Sequence, residues 1–238
     1  MYYKSTGLVG NGKWGKILKK KIQNNSNLIF TANSKSNYFN KISQLDWIFI
    51  ATPYATHYKI VNKCLDKKIN IFCEKPLTKT YAQSLKLFEK AKKNKVKLYV
   101  DQIQCFLNKR IRLNKNNYIT RQKKGHGNIK NLLFRFAYHD FYFLYDSLKN
   151  KKIKNIKIIS KKNNLKFKIN FERISILFHY SLNSEKRIHK INSTNLITKR
   201  DILSKMIKDV LNGKVDFDDN KNKSLFANKL IDKIIKKI

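Results

Sequence analysis

The feature that most constrains this chain is the glycine-rich string VGNGKWG at residues 9–15. Gly10, Gly12 and Gly15 have the spacing G-x-G-x-x-G, and they follow a short apolar run and open an amphipathic stretch. In that position the first glycine permits a tight turn, the second lets backbone approach a pyrophosphate, and the third lets a helix pack on a strand. The string predicts a dinucleotide-binding turn, with a purely structural glycine turn as the alternative. The cofactor-binding residues expected here are Gly10, Asn11, Gly12, Lys13, Trp14 and Gly15.

The first half of the chain alternates short apolar runs with amphipathic stretches, which is typical of βα units around a parallel sheet. The predicted strands are 3–9, 28–31, 47–51, 69–73 and 96–100, and the predicted helices are 13–23, 57–67 and 81–93. The last of these helices opens with Thr80 and Gln83 in the spacing of a capping box.

After Asp101 the pattern changes. We expect an amphipathic stretch at 105–116, strands at 129–137, 153–160, 165–171, 174–182 and 187–191, and helices at 139–149, 199–211 and 225–236. Short connections between successive strands favour antiparallel pairing. The predicted fold class is α/β. A Rossmann-type, doubly wound parallel sheet occupies residues 1–103, and a smaller α+β domain with an open, mostly antiparallel sheet occupies residues 104–238.

The loop after the second strand bears on the choice of cofactor. An NAD-binding fold normally carries an acidic residue here, about 20 positions beyond the glycines, to bind the ribose hydroxyls. This chain instead has Ser34 and Lys35, which could bind a 2′-phosphate. The sequence therefore favours NADP over NAD, the alternative being an ordinary polar loop.

The only two prolines of the chain follow the third and fourth predicted strands, in ATPYATH and CEKPLT. Ligands of open α/β sheets bind outside the carboxyl ends of the strands, so both motifs converge on the glycine turn. We expect Thr52, Pro53, His57, Glu74 and Lys75 to lie near the cofactor. Lys75 is the strongest functional candidate among the lysines.

In their order and spacing, VGNGKWG, ATPYATH and CEKPLT resemble the Gfo/Idh/MocA family of NAD(P)-dependent oxidoreductases. The resemblance implies an N-terminal Rossmann domain and a C-terminal α/β domain with an open sheet, acting on sugars, polyols or sugar derivatives. It also implies that Lys75 contacts the nicotinamide and substrate and assists proton transfer.

The string AYHDFYFLYDSL, residues 137–148, resembles the family helix that carries a substrate-facing histidine. This implies a catalytic role for His139 and a substrate-binding role for Asp140. Many members have an aspartate four residues before that histidine, whereas this chain has Arg135, which could bind an anionic group of the substrate. The chain is also shorter than typical members.

Two functions remain open at this point. The first is an NAD(P)-dependent dehydrogenase or reductase that transfers a hydride to or from a sugar, polyol or sugar nucleotide. The unperturbed histidine side chain titrates near physiological pH, so His139 suits the accompanying proton transfer. The alternative is a catalytically degenerate member of the family that binds nucleotide and acts as a binding or scaffold protein.

The formal net charge of +38 comes from 53 Lys and Arg against 15 Asp and Glu. Only seven of these cations are Arg, and they are dispersed, so the charge does not predict specific nucleic-acid binding. The histidines and the three cysteines lack the spacing of metal ligands, so we expect no metal. We also expect no membrane span or leader, a cytoplasmic location, a sugar-like small-molecule substrate and a possible homo-oligomer.

Overall fold

The structure is a computed structural model that describes residues 3–33, 35–107, 109, 111–161 and 164–238. The chain forms two compact units. Within the described residues, the first extends to Phe106 and includes Asp201–Leu225, and the second comprises Leu107–Arg200 and Phe226–Ile238.

The first unit begins with alternating strands and helices. These are β1 (Ser5–Val9), α1 (Lys13–Gln23), β2 (Asn27–Ala32), β3 (Trp47–Ile50), α2 (Tyr54–Asp66), β4 (Asn70–Cys73), α3 (Tyr81–Lys93) and β5 (Leu98–Val100). The strands form a parallel sheet in the order β2-β1-β3-β4-β5. Because β1 lies between β2 and β3, the sheet has its topological switch point at the β1/β3 edge, where doubly wound folds bind ligands.

Local sequence explains these elements. β3, β4 and β5 are short apolar runs that are buried almost throughout, as strands covered on both faces require. α3 begins where the Thr80 side chain accepts a hydrogen bond from the backbone N–H of Gln83, at 3.3 Å. The parallel sheet and its glycine turn confirm the Rossmann half of the predicted fold class.

The second unit consists of a six-stranded sheet and short helices. Its elements are β6 (Asn116–Lys124), α4 (Ile129–Leu132), α5 (Tyr138–Phe143), α6 (Tyr145–Leu148), β7 (Ile153–Ser160), β8 (Asn164–Phe171), β9 (Ser175–Ser181), β10 (Asn183–Ile191) and β11 (Thr194–Asn195). The strand order is β11-β10-β6-β9-β8-β7, and every pairing is antiparallel except that of β6 with β9. This mixed, mostly antiparallel sheet confirms the second half of the predicted fold class.

One predicted strand of this region is wrong. Residues 129–137 do not form a strand, since α4 is followed directly by a π-helix at Leu133–Ala137. Most side chains of this segment are buried, so it lacks the polar face that would have indicated a helix. Among the described residues of the expected amphipathic stretch at 105–116, regular structure is limited to the end of a 3₁₀ helix, Ile103–Leu107, and the start of β6.

The chain returns to the first unit after the second sheet is complete. Two helices follow, α7 (Ile202–Leu211) in the first unit and α8 (Phe217–Ile235), which belongs to the first unit as far as Leu225 and to the second from Phe226. The buried side chains of α7 join those of α1 and the parallel sheet in one core, which includes Leu18, Phe49 and Ile207. The observed division therefore differs from the predicted domains 1–103 and 104–238, because the apolar face of α7 completes the core of the first unit.

The position of α7 in that core gives a stability prediction. Ile207 is fully buried, and shortening it to Ala should lower the free energy of unfolding by about 2–5 kcal/mol through lost apolar burial and a cavity. Lys208→Ala, at an exposed position of the same helix, is the matched control and should have little effect. Urea unfolding of the whole chain measures both. Equal midpoints for the two variants would contradict the placement of α7.

Candidate functional site

The turn after β1 is shaped by two glycines that cannot be replaced without moving backbone. Gly10 has φ +127°, and its N–H donates a hydrogen bond to the carbonyl of Ala32 at 2.8 Å. A Cβ at Gly10 would lie 2.5 Å from the carbonyl carbon and oxygen of Ala51, and one at Gly15 would overlap the carbonyl of Gly10. Gly10 and Gly15 are therefore required by the fold itself.

Gly12 differs from both neighbours. Its φ of −72° suits any residue, and a Cβ built on it has no heavy atom within 4 Å. Gly12 is the N-cap of α1, and a glycine has no side chain that could cap the first amides of the helix. The first amides of a helix and its dipole bind phosphate. The open space above Gly12 is the kind that a pyrophosphate requires, so these residues fit a bound dinucleotide.

The loop after β3 meets this turn. Thr52 is buried, its hydroxyl accepts a hydrogen bond from that of Thr56 at 2.7 Å, and Pro53 caps α2. His57 is also buried, with Nε2 2.8 Å from the Thr52 carbonyl and Nδ1 2.9 Å from the Pro76 carbonyl. Burial lowers the pKa of His57, so the neutral ring donates to only one carbonyl at a time. The structure places His57 as a link between two loops of the site.

Glu74 and Lys75 follow β4 at the same sheet edge. Glu74 is 9% exposed, and its carboxyl accepts a hydrogen bond from the indole Nε1 of Trp14 in the glycine turn. Lys75 is half-buried, and the positive charge of its ammonium lowers the pKa of Glu74. The motifs GKWG and CEKP, well separated in sequence, are thus joined by a side-chain contact.

Asp101, which the sequence analysis did not select, directly follows β5 and is 2% exposed. Its side chain is hydrogen-bonded to that of Glu74. Burial raises the pKa of both carboxyl groups, the charge of Asp101 raises that of Glu74 further, and Lys75 partly offsets these effects. In the sequence, Asp101 is marked only by its place directly after a predicted strand, and its contact with Glu74 depends on the register of β4 and β5.

The loop after β2 is described in part. Lys35 is exposed, and its N–H donates to the side-chain oxygen of Asn33 at 2.8 Å. Ser34 lies outside the described residues. Of the other expected cofactor residues, Asn11 and Lys13 are exposed in the glycine turn.

The remaining predicted residues belong to the second unit. His139 is 7% exposed in α5, and Asp140 beside it is 1% exposed. The carboxylate of Asp140 accepts hydrogen bonds from His189 Nε2 at 2.7 Å and from the Tyr180 hydroxyl at 2.9 Å, and Arg121 lies 3.7 Å away. Burial alone would raise the pKa of Asp140, but these three partners hold it below its usual value. Asp140 therefore links α5 to the sheet.

Arg135 lies in the π-helix rather than on the strand expected from the sequence. Its Nη1 donates a hydrogen bond to the carbonyl of His126 at 2.9 Å. This contact fixes one side of the guanidinium on the loop that precedes α4.

The second unit also contains a cavity of about 410 Å³ that no sequence motif indicated. It has cationic and apolar walls, formed by Lys149, Lys151, Lys152, Ile153, Phe171, Phe226, Lys229, Leu230 and Lys233.

Over the described ranges, no three His, Cys, Asp or Glu side chains converge as metal ligands. No described helix is long and apolar enough to cross a membrane.

Comparison with known proteins adds to this geometry. Residues 6–102 match the Gfo/Idh/MocA family, described as an oxidoreductase family with an NAD-binding Rossmann fold. An uncharacterized oxidoreductase of Schizosaccharomyces pombe is 34% identical over 64 residues, which are 27% of this chain and 17% of that protein. The family match thus covers the Rossmann part, and the match to the yeast protein spans only a small share of that relative.

Solved structures resemble the chain over nearly its full length. UDP-N-acetylglucosamine 3-dehydrogenase GnnA from Acidithiobacillus ferrooxidans has a TM-score of 0.83 at 13% identity, over 98% of this chain and 97% of that one. The WlbA dehydrogenase from Thermus thermophilus, solved with NAD and UDP-GlcNAcA, has a TM-score of 0.74 at 13% identity, over 96% and 94% of the two chains. At these identities the likeness shows the fold.

Proposed function

We propose that the protein is an NAD(P)-dependent dehydrogenase or reductase of the Gfo/Idh/MocA family, which residues 6–102 match. Its substrate is a sugar, a polyol or a sugar nucleotide. The observation that carries the proposal is the glycine turn. Gly10 and Gly15 are required by packing, while Gly12 leaves open space at the start of α1.

Each part of the turn has a separate task in binding. The first amides of α1 bind the pyrophosphate, and the absence of a side chain at Gly12 lets the phosphates approach them. Lys35, in the loop after β2, binds the 2′-phosphate of NADP. We therefore propose NADP as the preferred cofactor, with NAD as the alternative.

A bound nicotinamide supplies the hydride acceptor or donor. Lys75, at the end of β4, orients the substrate hydroxyl and assists movement of its proton. We assign to His139 the role of acid or base at that hydroxyl, since an imidazole can serve in either direction near neutral pH. We assign to Arg135 the binding of an anionic group of the substrate, since a guanidinium is a cation with several N–H donors.

Sugar nucleotides are the favoured class among these substrates. Both neighbours described above carry such compounds in their names or titles, as the substrate of GnnA and as a ligand in the WlbA structure. Turnover assays on UDP-sugars, simple sugars and polyols separate the three classes.

The open space at Gly12 gives the first test of this function. Gly12→Val should keep the fold, because the position has an ordinary φ, but should weaken dinucleotide binding by more than about a hundredfold by blocking the phosphates. Titration of NADPH and NADH fluorescence measures the affinity, with thermal unfolding as the check on folding. Gly125→Ala in the second unit is the control. Wild-type affinity in Gly12→Val would refute the proposed site.

The choice of cofactor is tested at Lys35. The wild type should bind NADPH more tightly than NADH, and Lys35→Glu should erase or reverse that preference by turning a charge-assisted contact into repulsion. Lys41→Glu, at another exposed position, changes the net charge equally and should keep the preference. Tighter binding of NADH by the wild type would show that Lys35 does not select the cofactor.

Catalysis is tested at Lys75 and His139. Either change to Ala should lower turnover by roughly 100- to 10,000-fold while dinucleotide binding persists. His139→Ala should also remove a rate dependence on a group that titrates near neutrality. Lys79→Ala, at an exposed position of the same loop, is the control. Clear NADPH binding without turnover on any substrate would favour the degenerate binding protein over the enzyme.

A further inference from the structure

The acidic residues of this chain are few, yet two of them meet in a buried contact beside the glycine turn. β4 and β5 are parallel neighbours with Cys73 opposite Val100, so the residues that follow them, Glu74 and Asp101, come together at one sheet edge. The Asp101 N–H also donates to the Cys73 carbonyl at 2.8 Å, which fixes the start of its loop. The register of the two strands therefore creates the pair.

The hydrogen bonds of this pair define where its proton lies. The indole of Trp14 donates to one oxygen of Glu74, and the backbone N–H of Ile103 donates to Asp101 Oδ1 at 3.2 Å. Two carboxylates can only accept, so a hydrogen bond between them requires one shared proton. Burial raises the pKa of both carboxyl groups, and the charge of Asp101 raises that of Glu74 further, so the pair holds one proton between its two carboxyl groups.

The groups around the pair are few. Among the described residues, Lys75 is the cation whose charge lowers the pKa of both carboxyl groups, and Cys73 is a buried thiol whose raised pKa keeps it neutral. Tyr99 lies on β5, two residues before Asp101, and burial strongly raises the pKa of its phenol, which is therefore neutral. Trp14 from α1 is polar but does not ionise. With one proton the pair carries a single negative charge, which the ammonium of Lys75 balances.

We propose that Asp101 is a positioning residue for the dinucleotide site, because its hydrogen bond holds the Glu74 carboxyl in the place where it accepts from the Trp14 indole at the start of α1. The proposal rests on the proposed function, since it assigns the amides of α1 to the pyrophosphate. Trp14 lies between Gly12 and Gly15, so its side chain is the direct connection from these amides to the end of β4.

Loss of the shared proton has two consequences at this edge. The two carboxylates then repel each other, which displaces the Glu74 carboxyl from Asp101, and a second negative charge appears beside the place that an anionic pyrophosphate would occupy. Both effects weaken binding. Dinucleotide affinity should therefore fall as the pH rises through the ionisation of the pair, by up to about tenfold per pH unit when one proton is linked to binding.

The free energy of unfolding should depend on pH in the same direction and fall as the pH rises. Glu74 has a folded-state pKa above its unfolded value, so the folded protein holds the proton more tightly. That contribution is complete below the ordinary glutamate range and is lost as the pH rises through the raised pKa. Glu74→Gln, whose amide can donate to Asp101 and accept from Trp14, removes the titration without removing the contacts.

The experiment compares the wild type, Asp101→Asn and Glu74→Gln by NADPH and NADH titration from about pH 5 to about pH 10. The wild-type affinity should fall toward high pH, and both variants should have a flattened profile. Asp66→Asn, at an exposed residue of α2, should keep the wild-type slope. Ionisation of the dinucleotide itself is common to all four proteins and cancels in the comparison.

A second measurement, tryptophan fluorescence, does not need the dinucleotide. Tryptophan emission of the unliganded protein should change over the same pH range in the wild type, but not in Asp101→Asn, Glu74→Gln or Trp14→Phe. Binding with an equal pH slope in wild type and variants, or emission changes that persist in both carboxyl variants, would overturn the role of Asp101 and leave the proposed function intact. Absence of dinucleotide binding at every pH would overturn both. If Asp101→Asn does not fold, Glu74→Gln decides the outcome alone.

Discussion

The close approach of the Gly10 backbone to the carbonyl of Ala51 is the constraint on which the first unit depends. No Cβ fits at Gly10, and Gly15 has the same restriction against Gly10 itself. The turn can therefore bring α1 against the ends of β1 and β3 only with these glycines. This contact places the amides of α1, the loop at Thr52 and the carboxyl of Glu74 at one edge, where an anion would be bound by backbone rather than by the abundant lysines.

Much of this arrangement could be predicted from the sequence, because each signal was local. The glycine spacing, the apolar runs at β3 and β4, and the capping pair at Thr80 depend on residues a few positions apart. Short buried strands between amphipathic helices leave little ambiguity about a parallel sheet. Since parallel strands share an edge, the convergence of the motifs that follow them was predictable too.

The missed features depend on contacts that no local pattern reveals. The segment Leu133–Ala137 is apolar on most sides, so its period could not distinguish a buried helix from a strand. β6 was missed for the opposite reason, since it is polar along most of its length and fully buries only Asn117 and Ile119. Asp101 meets Glu74 through strand register, and Asp140 meets His189 across 49 residues of chain. Such pairs exist only after the sheets have formed.

The place of α7 in the core of the first unit has a consequence for biosynthesis. The ribosome synthesises the residues of the parallel sheet first. Met206, Ile207 and Val210 follow only after all residues of the second sheet. Until then the apolar side chains of α1 and β3 that α7 covers face solvent, and contacts over such sequence distances form slowly. The nascent chain must therefore keep an incomplete core from aggregating during most of its synthesis. The excess of Lys and Arg over Asp and Glu supports that requirement, because repulsion between like charges keeps unfinished chains apart.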